Sequence, residues 1–345
     1  MQASRLRLGQ NLQELRGLLD LVDLLDDLRQ STPEIKALEP LLGAVSTATW
    51  RRQVYSFSII FAYGAHERFI RDYLRATAKM MAGLYKTYAD MPDKVRTEHA
   101  RLSASSIREI TDRNPHDADE LLAVMARFAD SLGGQPVLND ELFAKHTANF
   151  RSDVVQQSFA RLALQLTPVE VPVPALFTGV HGSLESIVDD LANRRNDVAH
   201  GGDVDVVDIA TIRAMIDALD LYLRAIRTQV SRQLLQGLLD REAIPVGTVS
   251  HVWSNKATGE RTVGRVADLR EVLRVGRSLY DGKSLTRYSV KSIQCNRMDL
   301  DLAQPDGSSY GVDLGAVVTE GTRLFMLPLQ WASKEGLLMK QATGD

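Results

Sequence analysis

Arg194-Arg195-Asn196-Asp197-Val198-Ala199-His200-Gly201-Gly202 packs more potential chemistry into fewer positions than any other stretch of the chain, and its reading decides the fold around it. Two arginines, an amide and a histidine stand at the predicted end of a helix, and the glycine pair lets the chain turn away. The helix is read from its pattern. Ser183 is a capping residue, Glu185 lies in the first turn, and Leu184, Ile187, Val188 and Leu191 recur at i, i+3, i+4 and i+7. A core-facing stripe therefore runs straight into the motif. Asn196 and His200, four apart, share a helical face, whereas Arg195 and His200, five apart, are separated by about 140° around the axis. Either the helix unwinds near His200, as Gly201-Gly202 would allow, or two copies of the motif from two subunits supply one site.

Beyond the glycines, Asp203 or Asp205 is a predicted cap for a second helix, with Val206, Ile209, Ile212, Ile216, Leu219, Leu223, Ile226 and Val230 on helical spacing. The motif thus sits in the elbow of a helical hairpin, where two apolar faces hold the backbone and side chains reach outward.

On these residues the chain resembles the HEPN superfamily of helical nucleases and nucleotide-binding proteins, particularly bacterial HEPN-like ribonucleases. The mark of that family is an Arg, commonly followed by a polar residue, with a His after four to six intervening residues at the elbow before the last long helix. Arg195-Asn196 and His200 match it. The stretches Phe61-Ala62-Tyr63-Gly64-Ala65-His66-Glu67-Arg68-Phe69-Ile70 and Thr147-Ala148-Asn149-Phe150-Arg151 are similar to upstream segments of those proteins. The resemblance covers roughly residues 45–237, and it departs at Gly202, where some relatives carry a tyrosine. It implies a HEPN-like helical bundle and a metal-independent endoribonuclease that needs no cofactor. It further implies a homodimer with the two motifs facing across one cleft, and a toxin or antiviral defence effector restrained by a partner such as a co-encoded antitoxin or a defence ATPase. The alternative is a non-catalytic HEPN-like module that binds RNA or protein and regulates it.

The residue types suit RNA cleavage. Without a metal, the 2′-OH next to the scissile phosphate must lose a proton as it attacks phosphorus, and histidine takes and gives protons near neutral pH. His200 is the expected general acid/base. Negative charge gathers on the non-bridging oxygens in the transition state, and a guanidinium offers a permanent charge with forked donors, which assigns Arg195 to that task. Asn196, one turn before His200, is placed to hold the ring or a phosphate oxygen, with Arg194 in support. Glu67, in an apolar and aromatic helical stretch over residues 54–74, is a further supporting residue, placed either as a buried partner for a basic group such as Arg195 or on the solvated face.

With 345 residues the chain is too long for one typical core, and 44% hydrophobic residues suffice to bury two. The single cysteine, Cys295, permits no internal disulfide. The N-terminus lacks a charged-then-apolar signal pattern and the longest apolar stretch, around residues 57–65, is far short of a membrane span, so a cytoplasmic protein without membrane partners is expected. A net charge of −3 supplies no protein-wide basic field for nucleic acid, so RNA binding must be local. Between Arg261 and Arg297 there are nine basic residues against three acidic ones, and Arg277, Arg287 and Lys291 are the expected RNA contacts, guiding a strand toward the helical site.

The hydrophobic period changes near Pro245. Before it, helices are predicted over residues 6–29, 46–86, 118–132 and 152–166, followed by the motif hairpin. From Val246 onward strands are predicted at 248–253, 261–266, 287–294, 298–302, 310–314 and 323–327, which suggests a small SH3-like or OB-like barrel. The fold class is therefore mainly α with a C-terminal β domain, divided into residues 1–240 and 245–333. Gly276 to Ser284 nearly spells a P-loop, but five residues separate its glycines where four are needed, and strand-like sequence follows. No metal site is assigned, because the histidines other than His200 are scattered without ligand spacing.

Overall fold

The computed structural model describes residues 2–31, 46–113, 118–134, 136–146, 148–169, 182–201, 206–255, 259–328 and 331. Helices α1 (Gln2–Ser31), α2 (Thr47–Gly83), α3 (Asp93–Arg113), α4 (Ala118–Gly133), α5 (Asp140–Ala144), α6 (Ser152–Ala160), α7 (Leu184–Ala199) and α8 (Ile209–Glu242) precede ten short strands. The chain divides into two compact units at Val230/Ser231, inside α8 and upstream of the position 240 expected from the change of period. No described helix is long and apolar enough to cross a membrane.

In the helical unit α2 is the hub, packed against α1, α5 and α7. Ser46 caps it by accepting the Thr49 N–H, and Tyr55, Ile59, Tyr63, Ile70, Tyr73 and Leu74 form its buried face. On α1 the buried apolar positions are Leu8, Leu12, Leu15, Leu19 and Val22, at helical spacing. The helix expected over 152–166 stops at Ala160, and Ala163 takes a left-handed φ of 57° in the turn that follows. Asp203 and Asp205 lie outside the described residues. The cap of α8 is instead Asp208, whose Oδ1 accepts the Thr211 N–H at 2.7 Å.

Helix α3 was not expected, and its buried face explains why. Val95, His99, Ser103, Ser106 and Ile110 point inward at helical spacing, so three of the five core positions are polar. The polar groups are matched. Asn139 donates its backbone N–H to His99 Nε2 (3.0 Å) and its amide to Ser103 Oγ (2.9 Å). With Nε2 accepting, the proton of the neutral ring sits on Nδ1, 3.2 Å from Tyr88 Oη, which in turn donates to the Arg96 carbonyl.

In the second unit, strands β1 (Ile244–Trp253), β2 (Val263–Ala267), β4 (Ser278–Asp281), β5 (Arg287–Ser289), β6 (Ser292–Cys295), β7 (Met298–Leu300), β9 (Tyr310–Asp313) and β10 (Arg323–Met326) form one antiparallel sheet in the order β5-β4-β10-β1-β2-β9-β6-β7. A separate pair joins β3 (Leu273–Arg274) to β8 (Leu302–Ala303). The stretch expected as one strand, 287–294, is two: β5 pairs with β4, whereas β6 pairs with β9. The chain changes partner between them, curling the sheet into a half-barrel around Val246, Val249, Val266, Leu279, Ile293 and Val312. The near P-loop holds strand β4 between its glycines and is followed by strand β5, where a phosphate-binding site requires an open loop followed by a helix. Gly282 there lies under the Phe325 ring, where a Cβ would approach Cε2 to 2.5 Å.

His66 on α2 and His99 on α3 are both fully buried, and desolvation lowers each from 6.5 to about 4. The fold holds the neutral rings, so this contribution is complete above the unfolded value of 6.5 and is lost as pH falls toward 4. Urea unfolding followed by far-UV circular dichroism should show a constant midpoint between pH 7 and 8 and a falling one from about pH 6.5 downward. A midpoint unchanged at pH 5 contradicts this assignment of the two rings.

Candidate active site

The motif lies on the last two turns of α7. Ser183 caps the helix by accepting the Ser186 N–H at 3.3 Å, as its sequence position suggests. Leu184, Ile187, Val188, Leu191 and Ala192 are buried, leaving residues 193–200 partly or fully accessible. The helix does not unwind before the histidine. His200 donates its N–H to the Asn196 carbonyl at 2.9 Å with φ −92° and ψ 3°, and the chain turns only at Gly201, whose φ is +67°. A left-handed residue at that position is the usual reason for glycine after a helix. The His200 ring is exposed and makes no hydrogen bond or ion pair among the described residues.

The arginines are held differently. Arg194 donates from Nε to Asp190 (2.8 Å) and from Nη1 to Tyr55 Oη (3.1 Å), joining α7 to α2. Burial disfavours its charge, but the Asp190 carboxylate and Tyr55 hydroxyl outweigh that and push its pKa up. Arg195 lies with its guanidinium 5.6 Å from the centre of the Tyr63 ring and donates to Asn196 Oδ1 at 3.2 Å. It is half-buried, with donors of its fork still unused among the described residues.

Asn196 is fixed from a distant part of the chain. Asn149 Nδ2 donates to Asn196 Oδ1 at 2.9 Å. The next residue is gripped by α2: the Phe150 N–H donates to Tyr63 Oη at 2.9 Å, and His66 Nε2 donates to the Phe150 carbonyl at 2.8 Å. Arg151 donates to Asn193 Oδ1, and Asp189 accepts both the N–H (2.7 Å) and the hydroxyl (2.8 Å) of Ser152, starting α6. Tyr63 is central to this arrangement, and burial raises its hydroxyl pKa.

Arg195, Asn196 and His200 thus share one accessible helix end. Asn149, Tyr63 and Arg151 join them without having been singled out. Their signal in the sequence was faint: Tyr63 falls in the first upstream stretch, and Asn149 and Arg151 fall in the second. Glu67 is not the partner of Arg195. It accepts from Arg71 at 2.6 Å, one turn along the same half-exposed helix face. In the second unit, Arg277 donates to the Leu327 carbonyl, and Arg287 donates from Nε and Nη2 to Ser278 Oγ at 3.1 and 2.8 Å. The aliphatic stem of Lys291 packs over Gly315.

A model of the RiboL-PSP-HEPN family matches residues 26–232. The chain belongs to this family. The RiboL-PSP-HEPN match contains every residue of the cluster described above and stops within α8, ahead of the β strands. No curated protein matches the chain.

Tyr63→Phe keeps the ring under Arg195 but leaves the buried Phe150 N–H without an acceptor. It should lower stability by about 1–3 kcal/mol in urea unfolding. A loss below a few tenths of a kcal/mol shows that the hydroxyl does not hold the segment.

Proposed function

We propose that this RiboL-PSP-HEPN protein is a metal-independent endoribonuclease whose active site is completed by a second copy of the chain. The observation that carries the reading is the unbroken end of α7. Because hydrogen bonding continues to His200, Arg195 and His200 remain about 140° apart around one axis while both are accessible. One chain therefore offers its guanidinium and its imidazole in different directions, and a two-fold arrangement lets the guanidinium of one copy meet the imidazole of the other. An exposed apolar strip supports such a pairing. Phe57 and Ile60 are 51% and 48% exposed, Phe57 stacks on Phe61 at 5.6 Å, and all three lie on the part of α2 alongside the motif.

In this reading Arg195 and the Asn196 amide bind the non-bridging oxygens of the scissile phosphate. His200 takes the proton of the 2′-OH as its oxygen bonds to phosphorus. The bond from phosphorus to the 5′ oxygen breaks, and the imidazolium returns the proton to that leaving oxygen. The products are a 2′,3′-cyclic phosphate and a 5′-hydroxyl, with no net change in protons. By family analogy we assign the protein to toxin or antiviral defence effectors, restrained by a co-encoded antitoxin or a defence ATPase.

Purified protein incubated with bulk RNA in excess EDTA should generate cyclic-phosphate ends. His200→Ala and Arg195→Ala should each reduce the rate by at least about 100-fold without lowering the melting temperature. Arg195→Lys should not restore activity, since an ammonium lacks the planar fork. Strict dependence on added magnesium, or His200→Ala at the wild-type rate, overturns the mechanism. RNA bound but never cut by the wild-type protein favours the non-catalytic binding module instead.

The shared site has its own test. Co-expressed Arg195→Ala and His200→Ala chains should regain cleavage in the mixed assembly, where one intact Arg195 meets one intact His200. No recovery would place both groups in a single-chain site.

A further inference from the structure

Strand register in the β unit sets His251, Arg265, Gly311, Gln294 and Asp299 side by side across β1, β2, β9, β6 and β7. Their chain neighbours Val252, Val266, Val312 and Ile293 are buried in the core, so this row faces outward. Gly311, at its centre, has no side chain, and a groove of roughly 730 Å³ lies over it, bordered by Trp253, Arg265 and Arg297. Trp253 is 44% exposed and lies T-shaped to the His251 ring, with centroids 4.7 Å apart. Arg265 uses one nitrogen on Ser309 Oγ at 3.2 Å.

Arg297 makes no hydrogen bond or ion pair among the described residues. It stands with Asn296 in the two-residue turn between β6 and β7, at φ 69° and 50° respectively, where glycine is the favoured second residue. The Arg297 guanidinium is thus open to a ligand at the rim of the groove. The bordering carboxylates are already engaged: Asp313 accepts from Asn255 (2.8 Å) and from the Gly315 N–H (3.0 Å), and Asp299 accepts from Gln294 (2.7 Å).

We propose that this groove binds single-stranded RNA, with a base stacked on Trp253 and backbone phosphates held by Arg265 and Arg297. The chemistry selects this occupant. An exposed indole offers a face to an unstacked base, two guanidiniums match phosphates, and the floor and walls are mostly polar amides and hydroxyls in place of the apolar lining that a hydrophobic peptide anchor needs. A duplex keeps its bases stacked and cannot present one to the indole. The proposal rests on the reading of the chain as acting on RNA and adds where the strand is held. It assigns this role to Trp253, Arg265 and Arg297 instead of Arg277, Arg287 and Lys291.

The test uses the full chain carrying His200→Ala, so that the probe stays intact, and follows fluorescence anisotropy of a labelled short oligouridylate. Trp253→Ala should raise Kd at least about fivefold. Arg297→Ala should weaken binding and reduce the slope of log affinity against log salt by about 0.7. Gly311→Val places a side chain on the groove floor, where a Cβ meets only Gln294 atoms at 3.8 and 4.0 Å, and it should weaken binding at an unchanged melting temperature. No oligouridylate binding in the high micromolar range, or affinity indifferent to both Trp253→Ala and Gly311→Val, overturns the proposal. Bulk-RNA cleavage by the same substitutions in a His200 background separates the two readings. Groove-independent binding with intact cleavage removes this site alone, whereas groove-dependent binding with no cleavage removes the nuclease alone.

Discussion

The grip of α2 on the backbone of a single residue, Phe150, sets the geometry of the motif. Tyr63 accepts the N–H of Phe150 and His66 donates to its carbonyl, from adjacent turns of one helix. A buried amide left without partners is costly, so this pair of bonds fixes where the 148–152 segment runs. Everything it touches on α7 then follows. Ser152 meets Asp189, Arg151 meets Asn193, and Asn149 meets Asn196, which are positions i, i+4 and i+7 of one helical face. His200 is the next position on that face, just past the last of these contacts and open to solvent.

Burial sets His66 and His99 apart from His200. His66 and His99 are enclosed and kept neutral, each with a ring nitrogen committed to a backbone group. They act as architecture, and their proton affinity is suppressed because the interior disfavours the charged ring. His200 has no such commitments and stands at the end of a helix that carries an arginine and an amide in the preceding turn. Family membership supports an RNA-related role for this unit.

Apolar stripes made α1, α2, α7 and α8 legible, because leucine, isoleucine and valine at helical spacing face a core whatever the rest of the chain does. The same rule hid α3, whose inward face is largely serine and histidine and is stabilised by hydrogen bonds from Asn139, a residue far away in sequence. Strands β3 and β4 escaped because they are short and Gly276 stands between them. At the candidate site, Arg195, Asn196 and His200 were readable because they lie on one local spacing. Asn149 and Arg151 act across long sequence separations, which no local pattern encodes. For Glu67 the sequence leaves a buried partner and the solvated face both open. A carboxylate in an apolar stretch suggests a distant partner, yet Arg71 one turn away satisfies it on an accessible face.

The turn between β6 and β7 sets two demands on one residue in opposition. Its backbone conformation at position 297 suits glycine, and holding a bulkier residue there costs on the order of 1 kcal/mol. Relaxing that strain would discard the guanidinium at the groove rim. Selection for heat resistance alone would therefore drift toward glycine at this position, while selection that retains the charge keeps the molecule slightly less robust than its fold permits.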